Sequence, residues 1–186
     1  MNFPAKTVAK YEDLFNVPDN MVGEIIAGEL VTQPRPGPKH ARASSAVGAI
    51  LFNEYDFKSA GGPQGWWIID EPECHLSADV VVPDVAGWKK TSMPELPDTA
   101  WFETPPDWVC EVISPSTAKY DRGSKRDIYA REGVGFLWIV DPITRIIEVF
   151  AMKDGRWTLS VTVSDNQVVQ LPPFLELPFD LSALWA

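Results

Sequence analysis

The amino-acid sequence predicts an α/β (α+β) fold in which helices alternate with groups of β-strands. Three observations predict it. Apolar residues recur at helical spacing after residue 38, runs rich in valine and isoleucine recur through the rest of the chain, and Gly or Pro separates these runs. With 186 residues, the chain has the length of one ordinary domain, which buries about two-thirds of its unfolded surface. We therefore expect one domain over 1–186.

The first half of the chain contains one hairpin, one helix and two strands. Alternating residues around Ala27-Gly28 predict a hairpin over residues 24–32, and the proline-rich stretch 34–38 ends it. An amphipathic helix is predicted over 39–57, because apolar side chains step by three and one; they are Ala43, Ala46, Val47, Ile50 and Leu51. Strands are predicted over 66–71 and 79–86, the second at an edge or bulged because it contains Pro83. Residues 88–106 are expected to be irregular.

The second half alternates strands with one short helix. A strand is predicted over 107–114, followed by a helix that Asp121 caps and Gly133 ends. Further strands are predicted over 136–140, 146–152 and 157–163, the last two joined as hairpins through Asp141-Pro142 and Asp154-Gly155. The predicted order is therefore hairpin, helix, strands, helix, strands.

Composition and charge exclude several classes of protein. Two cysteines are too few for a disulfide framework or a four-ligand zinc site, so we expect packed, reduced thiols. No run approaches the ~20 apolar residues of a membrane span, and the first residues lack the apolar core of a signal peptide, which predicts a cytoplasmic protein. The net charge of −10 argues against a general nucleic-acid coat. Two segments, 35–42 and 119–131, are nevertheless each +3, and a polyanion site would lie where they meet.

Two carboxylates stand where the predicted strands should be apolar. Alternation places Glu111 between Val109 and Ile113, and places Asp84 on the face of Val82. Burying an unpaired carboxylate costs several kcal/mol, so two of them suggest a cation between them. Mg²⁺ binds through one or two carboxylates plus water and activates phosphodiester hydrolysis. The alternative is structural: Asp84 caps a turn and Glu111 pairs with an arginine.

Lys125 is a third polar residue on an apolar face. It precedes Ile128 and Tyr129 by three and four residues, so its side chain shares their side of the second helix. Near a metal ion it would orient the attacking water or stabilise developing negative charge. Alternatively, the stem packs on the helix and the ammonium reaches solvent.

These residues belong to blocks that resemble a known family. The blocks are Val82-Pro83-Asp84, Glu111-Val112-Ile113-Ser114-Pro115-Ser116-Thr117, Asp121-Arg122-Gly123-Ser124-Lys125 with Tyr129, Gly133-Val134, and Trp138-Ile139-Val140-Asp141-Pro142. The chain is similar to the Uma2 family of restriction-endonuclease-like proteins, within the PD-(D/E)XK nuclease superfamily. The resemblance implies a mixed β-sheet flanked by helices over residues 21–186, with 1–20 as an N-terminal extension.

The resemblance also implies site residues and a cofactor. Asp84 and Glu111 would bind Mg²⁺ or Mn²⁺, and Lys125 would replace the lysine that the superfamily places where this chain has Ile113. Glu24 and His40 match further recurrent positions, as an outer ligand and as a base or a helix cap. The start of a helix disfavours protonation of His40. A homodimer, which would pair two cleavage sites across two strands, is the family expectation.

Three functions remain open at this point. The first is a Mg²⁺-dependent endonuclease acting on DNA, with candidate phosphate contacts at Arg35, Lys39, Arg42, Arg122 and Arg126. The second is a catalytically inactive nuclease fold that serves as a binding or scaffold module. The third, serine hydrolysis through Ser114 or Ser116, lacks the Gly-x-Ser-x-Gly motif. The eight tryptophans are mainly core candidates, although Trp88 and Trp101 in the long loop offer a contact for a base or partner.

Overall fold

The computed structural model describes residues 8–57 and 65–185. In chain order the elements are α1 (Tyr11–Leu14), β1 (Met21–Ile26), β2 (Glu29–Pro34), α2 (Pro38–Leu51), β3 (Trp66–Asp70), β4 (Cys74–Leu76), β5 (Asp79–Val81), β6 (Val85–Lys89), β7 (Trp108–Val112), α3 (Ala118–Asp121), α4 (Ser124–Arg131), β8 (Phe136–Asp141), β9 (Ile146–Lys153), β10 (Arg156–Ser164), β11 (Val168–Leu171) and β12 (Phe174–Asp180). A π-helical turn, Phe52–Phe57, follows α2, and a 3₁₀ turn, Leu181–Ala183, follows β12.

A six-stranded sheet forms the centre of the fold. Its strand order is β10-β9-β8-β7-β6-β3. Strands β7 and β8 are parallel, while the other neighbouring pairs are antiparallel, so the sheet is mixed, as expected. A parallel pair needs a crossover connection, and α3 and α4 supply it here. A four-stranded sheet, β2-β1-β5-β4, and the β11-β12 hairpin complete the architecture.

The central sheet separates two hydrophobic cores. On one face, Val112 and Trp108 of β7 pack with Val47 of α2 and with Phe174 of the β11-β12 hairpin. On the other face, residues of β7 pack with α4 and the four-stranded sheet; this core includes Val109, Ile113, Ile128, Tyr129, Ile26, Val31 and Val81. Strand β7 is therefore buried on both faces, which explains its nearly continuous apolar sequence.

The predicted elements occur, with three corrections. The predicted strand 79–86 is two strands, because residues 82–84 leave the small sheet and enter the large one. Asp121 does not cap a helix: it is the last residue of α3, and α4 begins at Ser124. The long helix ends at Leu51, where a π-helical turn replaces its last residues. Strands β4, β11 and β12 and the helix α1 escaped the sequence-based prediction.

The break between α3 and α4 depends on Gly123. A Cβ atom at this position would lie 2.7 Å from the carbonyl oxygen of Lys119, closer than real Cβ atoms approach. Glycine therefore permits the tight turn that ends one short helix and starts the next. The turn brings Asp121 and Lys125 to the same side, where both are buried.

Of the two tryptophans predicted in the long loop, only Trp101 lies there. Trp88 lies in β6, is fully buried, stacks on Phe102 and donates a hydrogen bond from Nε1 to the Thr104 carbonyl. It is therefore a core residue and the prediction of a base or partner contact was wrong for it. Trp101 is half-buried and stacks on His75.

Cys74 and Cys110 are free and buried, as expected. Burial raises the pKa of Cys74 to about 12, and also raises that of Cys110, so both remain thiols. In the described part of the chain, none of the helices combines the length and the apolar character that crossing a membrane requires.

Candidate active site

Glu111 lies at the centre of the large sheet, on the face that packs against α4. The alternation of β7 puts its carboxylate beside Val109 and Ile113, as the sequence predicts, and only 1% of the residue is exposed. Its Oε1 accepts hydrogen bonds from the Lys125 ammonium at 2.8 Å and from the Tyr129 hydroxyl at 2.5 Å. Both donors lie on α4, so these two bonds fix the position of the helix over Glu111.

Lys125 is the buried cation of the site. It is the second residue of α4 and is 2% exposed. Its Nζ lies 2.8 Å from Glu111 Oε1, 3.1 Å from Glu24 Oε1 and 3.2 Å from the Val82 carbonyl oxygen. These three oxygens match the three protons of an ammonium group. The alternative of an ammonium in solvent is therefore excluded.

The Lys125 ammonium stays charged in this environment. Burial lowers the pKa of Lys125, but the charges of Glu111, Glu24 and Asp121 outweigh burial and raise it well above its ordinary value. The fourth oxygen nearby, Asp121 Oδ1, is 3.7 Å away, one helical turn before the lysine. A lysine that stays protonated acts as a fixed positive charge and not as a base.

Asp84 lies where the chain enters β6 and is held by neighbours on two sides. Its Oδ2 accepts a hydrogen bond from the Val112 backbone N–H at 2.8 Å, which ties it to the end of β7. Its Oδ1 lies 3.3 Å from Nε2 of His40, in the first turn of α2. The predicted face shared with Val82 does not exist, because residues 82–84 are not in a strand.

His40 is buried and bonded to a carboxylate, which reverses one expectation. Burial lowers the pKa of His40, but the hydrogen bond and the negative charge of Asp84 outweigh burial and raise it above its ordinary value. The expected downward influence of the start of α2 on the pKa is therefore outweighed by Asp84, whose Oδ1 lies 3.3 Å away. Within the described residues, Nδ1 of His40 has no hydrogen-bond partner.

Glu24 joins the small sheet to this cluster. It lies on β1, is 2% exposed, and its Oε1 accepts hydrogen bonds from the Val82 backbone N–H at 2.8 Å and from Lys125. Its Oε2 accepts a hydrogen bond from Gln33 Nε2, on the neighbouring strand β2, at 3.3 Å. Both oxygens of Glu24 are therefore engaged by groups from other elements.

The residues surround one cleft with an excess of negative charge. A cavity of about 60 Å³ lies between the two sheets, and its charged and polar lining consists of Glu24, Gln33, His40, Glu71, Asp84, Glu111, Ser114, Thr117, Asp121 and Lys125. Five of these are acids, against one lysine and one histidine. All five residues that the sequence assigns to the site therefore reach the same cleft: Glu24, His40, Asp84, Glu111 and Lys125.

Two buried carboxyl groups of the cleft, those of Glu111 and Asp121, have raised pKa values. Burial raises the pKa of Glu111 well above its ordinary value; the charge of Lys125 opposes this, and neighbouring carboxylates add to it. Burial likewise raises the pKa of Asp121 from 3.8 to about 6, again against the influence of Lys125. One lysine does not neutralise the cluster, and an additional positive charge would stabilise the ionised acids.

The five candidate phosphate contacts surround the cleft without lining it. Arg35, Lys39 and Arg42 are exposed and lie in or next to the first turns of α2. Arg122 pairs with Glu148 of β9, and Arg126 stacks on the Phe150 ring at 4.4 Å. Lys39 and Arg42 are therefore more open to a ligand than Arg122 and Arg126, whereas Arg35 donates two hydrogen bonds to the Asp19 carbonyl.

Three lining or supporting residues were missed in the sequence. Asp121 and Tyr129 belong to a block that resembles the family, but the sequence predicts only a helix cap for Asp121 and a place on the apolar stripe for Tyr129. Gln33 was overlooked, although the alternation that buries Val31 on β2 also turns residue 33 inward. A polar residue at an inward strand position was the same signal that identified Glu111.

The serine alternative finds no support in the geometry. The Ser114 hydroxyl bonds Ser116 Oγ at 2.9 Å and Thr117 Oγ1 at 3.2 Å. The Ser114 N–H also donates to Thr117 Oγ1, at 2.9 Å. These contacts form the turn that leads into α3, while the nearby His40 bonds Asp84.

The donor set fits a hard divalent ion. Asp84 and Glu111 offer carboxylate oxygens in the same cleft, and the hydrogen bonds to Glu111 described above use only Oε1. In the described ranges, no three His, Cys, Asp or Glu side chains converge as a ready-made metal cage. One or two carboxylates completed by water are a ligand set that Mg²⁺ accepts, so Asp84 and Glu111 fit it by their chemistry.

Comparisons with known proteins agree with this fold. The structure resembles the crystal structure of a protein from Anabaena variabilis described as a putative nuclease belonging to DUF820, with a TM-score of 0.74 and 18% identity. The match covers 93% of this chain and 95% of that one. No curated protein sequence matches. The model of the Uma2 family, described as "Putative restriction endonuclease", matches residues 8–183, and the chain therefore belongs to the Uma2 family.

Proposed function

We propose that this protein is an endonuclease that hydrolyses DNA phosphodiester bonds in the cytoplasm with Mg²⁺ or Mn²⁺ as cofactor. The observation that carries the proposal is the cleft that Asp84 and Glu111 both line beside a buried, charged Lys125. Membership of a family described as restriction endonucleases supports the same reaction class. The −10 net charge favours modest affinity for the polyanion.

Asp84 and Glu111 would hold the ion. When bound, it would polarise a phosphoryl oxygen and lower the pKa of a water molecule. Asp84 is already oriented by the Val112 N–H and by His40, and Glu111 by Lys125 and Tyr129. Such neighbours fix the direction of a carboxylate, and their loss typically lowers metal affinity or activity 10–100-fold.

Lys125 keeps the acids in place. Its three protons face Glu111, Glu24 and the Val82 carbonyl, so it neutralises part of their repulsion. Since all three protons face these oxygens, Lys125 would stabilise negative charge in the cleft and would orient a water molecule only if one of the three acceptors turned away. His40 holds Asp84 and is close enough to the cleft to exchange a proton with a bound group.

The substrate would be bound from the α2 side of the cleft. Arg35, Lys39 and Arg42 are exposed there, and each offers a charge to a phosphate. Arg122 and Arg126 would reach DNA only by leaving Glu148 and Phe150. A homodimer that cuts both strands belongs to the same proposal and is tested by the mass of the protein in solution with and without duplex.

The deciding experiment compares the wild type with Glu111→Gln and with Glu95→Gln, a matched change in the exposed loop after β6. Supercoiled plasmid nicking is measured with Mg²⁺, with Mn²⁺ and with EDTA. Melting is measured across metal concentrations, because an ion that binds the folded state raises stability by RT ln(1 + [ion]/Kd).

We expect nicking and metal-dependent stabilisation in the wild type and in Glu95→Gln, and neither in Glu111→Gln. Without metal, the Glu111→Gln protein should be as stable as the wild type or more so, because an amide removes a buried negative charge from an acid-rich cluster. Metal-independent melting together with no nicking by the wild type would instead support the scaffold alternative.

A further inference from the structure

Gln33 is a polar side chain at a position that strand alternation reserves for the interior. It lies on β2 on the same face as Val31, pairs with Val22 of β1, and is 7% exposed. Its side chain lines the cleft next to Glu24. An apolar residue would fill this place without any hydrogen-bonding requirement, so the amide needs another reason.

The orientation of the Gln33 amide follows from its neighbour. Glu24 Oε2 lies 3.3 Å from Nε2 and, as a carboxylate oxygen, only accepts hydrogen bonds. The NH₂ group must therefore face Glu24, since a flipped amide would bring two acceptors together. This leaves Oε1 buried, and among the described residues it has no hydrogen-bond donor.

The cleft has room for the donor that Oε1 lacks. One water molecule needs a cavity of about 10–15 Å³, and this cavity measures about 60 Å³. Lys125 is the lysine that lines the cleft, and oxygens of Glu111, Glu24 and Val82 already engage its protons. A water molecule in the cleft therefore finds a free protein acceptor at Gln33 rather than a free donor at Lys125.

We propose that Gln33 is a positioning residue, which holds a cleft water through Oε1 while its Nε2 fixes Glu24. This inference rests on the proposed nuclease function. The water is the one delivered to the phosphodiester, oriented by an acceptor that carries no charge. A neutral acceptor adds no repulsion in a cleft that already contains five acids.

Two substitutions separate the two halves of this role. Gln33→Met keeps the volume but removes both the acceptor and the donor. Gln33→Glu keeps an acceptor and removes the donor to Glu24. Thr32→Val, on the opposite, exposed face of β2, is the matched control. Each protein is assayed for plasmid nicking with turnover and KM separated, for Mn²⁺ binding without DNA, and for thermal melting.

We expect Gln33→Met to turn over about 10–100-fold more slowly than the wild type, with little change in KM. Its melting should stay within a few degrees of the wild type, and its Mn²⁺ affinity should fall less than its turnover. Gln33→Glu should be no more active than Gln33→Met, because its carboxylate would repel Glu24 in a cleft that already contains five acids, and Thr32→Val should behave as the wild type.

Three outcomes would overturn the inference. An unchanged turnover in Gln33→Met would show that no essential water is held there. A fall in the Mn²⁺ affinity of Gln33→Met as large as the fall in its turnover would show that only the bond to Glu24 matters. A loss of activity that simply follows a loss of folded protein would reduce Gln33 to a structural residue. If the wild type neither nicks DNA nor binds Mn²⁺, the proposed function itself fails.

Discussion

Replacing Lys125 by methionine tests the electrostatic account of the cleft most directly. The substitution keeps a long apolar stem but removes the only lysine among the cleft-lining residues. Three carboxylate oxygens then lose a partner at 2.8, 3.1 and 3.7 Å: those of Glu111, Glu24 and Asp121. All three acids are at most 2% exposed. A methionine side chain offers none of these oxygens a hydrogen-bond donor.

The size of the effect follows from burial. Removing one partner of a buried ion pair typically costs about 3–5 kcal/mol, because an uncompensated charge stays in the interior. We expect a loss of about this size near pH 7, where the acids are ionised in the unfolded chain. For a protein of this length, 1 kcal/mol shifts Tm by roughly 2–4 °C, so the expected decrease is about 6–20 °C.

The loss should depend on pH in a defined direction. Without the lysine, the folded-state pKa values of Glu111 and Asp121 rise further above their unfolded values. The folded protein then binds more protons than the unfolded chain, so stability falls as the pH rises from about 4 through the folded-state pKa values. The deficit relative to wild type should be largest near neutral pH and should shrink toward pH 4.

Urea unfolding of wild type and Lys125→Met at pH 4 and pH 7 measures this difference. Lys153→Met, at the exposed end of β9, is the control and should change stability by less than about 1 kcal/mol. Equal stability of Lys125→Met and the wild type at pH 7 would refute the reasoning. A deficit of the same size at both pH values would refute it as well, since only ionised acids require the ammonium.

Three further predictions concern positions that support the cleft. Gly123→Ala should lower the free energy of unfolding by about 1–3 kcal/mol in urea titrations, because its Cβ would meet the Lys119 carbonyl; Gly37→Ala, where the space is open, is the control. Between pH 4 and pH 6 the wild type should lose about 3 kcal/mol of stability as Asp121 ionises, since burial raises the pKa of Asp121 to about 6, and Asp121→Asn should abolish this loss. Unchanged pH dependence in the variant would contradict the prediction. Asp79→Ala should lower the free energy of unfolding by about 2 kcal/mol, because the Ala27 N–H and Arg131 both lose the Asp79 carboxylate. Glu132→Gln, which affects the other partner of Arg131, should lower it by under about 1 kcal/mol; equal effects in melting experiments would contradict this account.

Local patterns predicted the parts of the site that local geometry controls. Alternation in a strand buried on both faces was enough to mark Glu111, and helical spacing was enough to turn Lys125 inward. Both predictions needed only the residue's own element. Glu24, by contrast, was implied by the family resemblance alone, because its meeting with Lys125 depends on how a separate sheet packs.

Long-range packing explains the predictions that failed. The strand predicted over 79–86 has the right residues, but Pro83 and the two sheets divide it, so period two could not be carried across to Asp84. For His40, the position at the start of α2 predicts a lowered pKa, but the sequence does not reveal that Asp84 is its partner. This carboxylate, at 3.3 Å, raises the pKa of His40 above its ordinary value.

The crossing of the chain from one sheet to the other, residues 82–84, determines where length variation is tolerated. Within three residues the backbone bonds Glu24 through the Val82 N–H and Lys125 through the Val82 carbonyl, and Asp84 then binds the Val112 N–H. An inserted residue here would shift one set of bonds against the other. The loop between β6 and β7, by contrast, can change length without moving an acid of the cleft. Among relatives, insertions should therefore accumulate in that loop, while the crossing keeps its length even where its residues change.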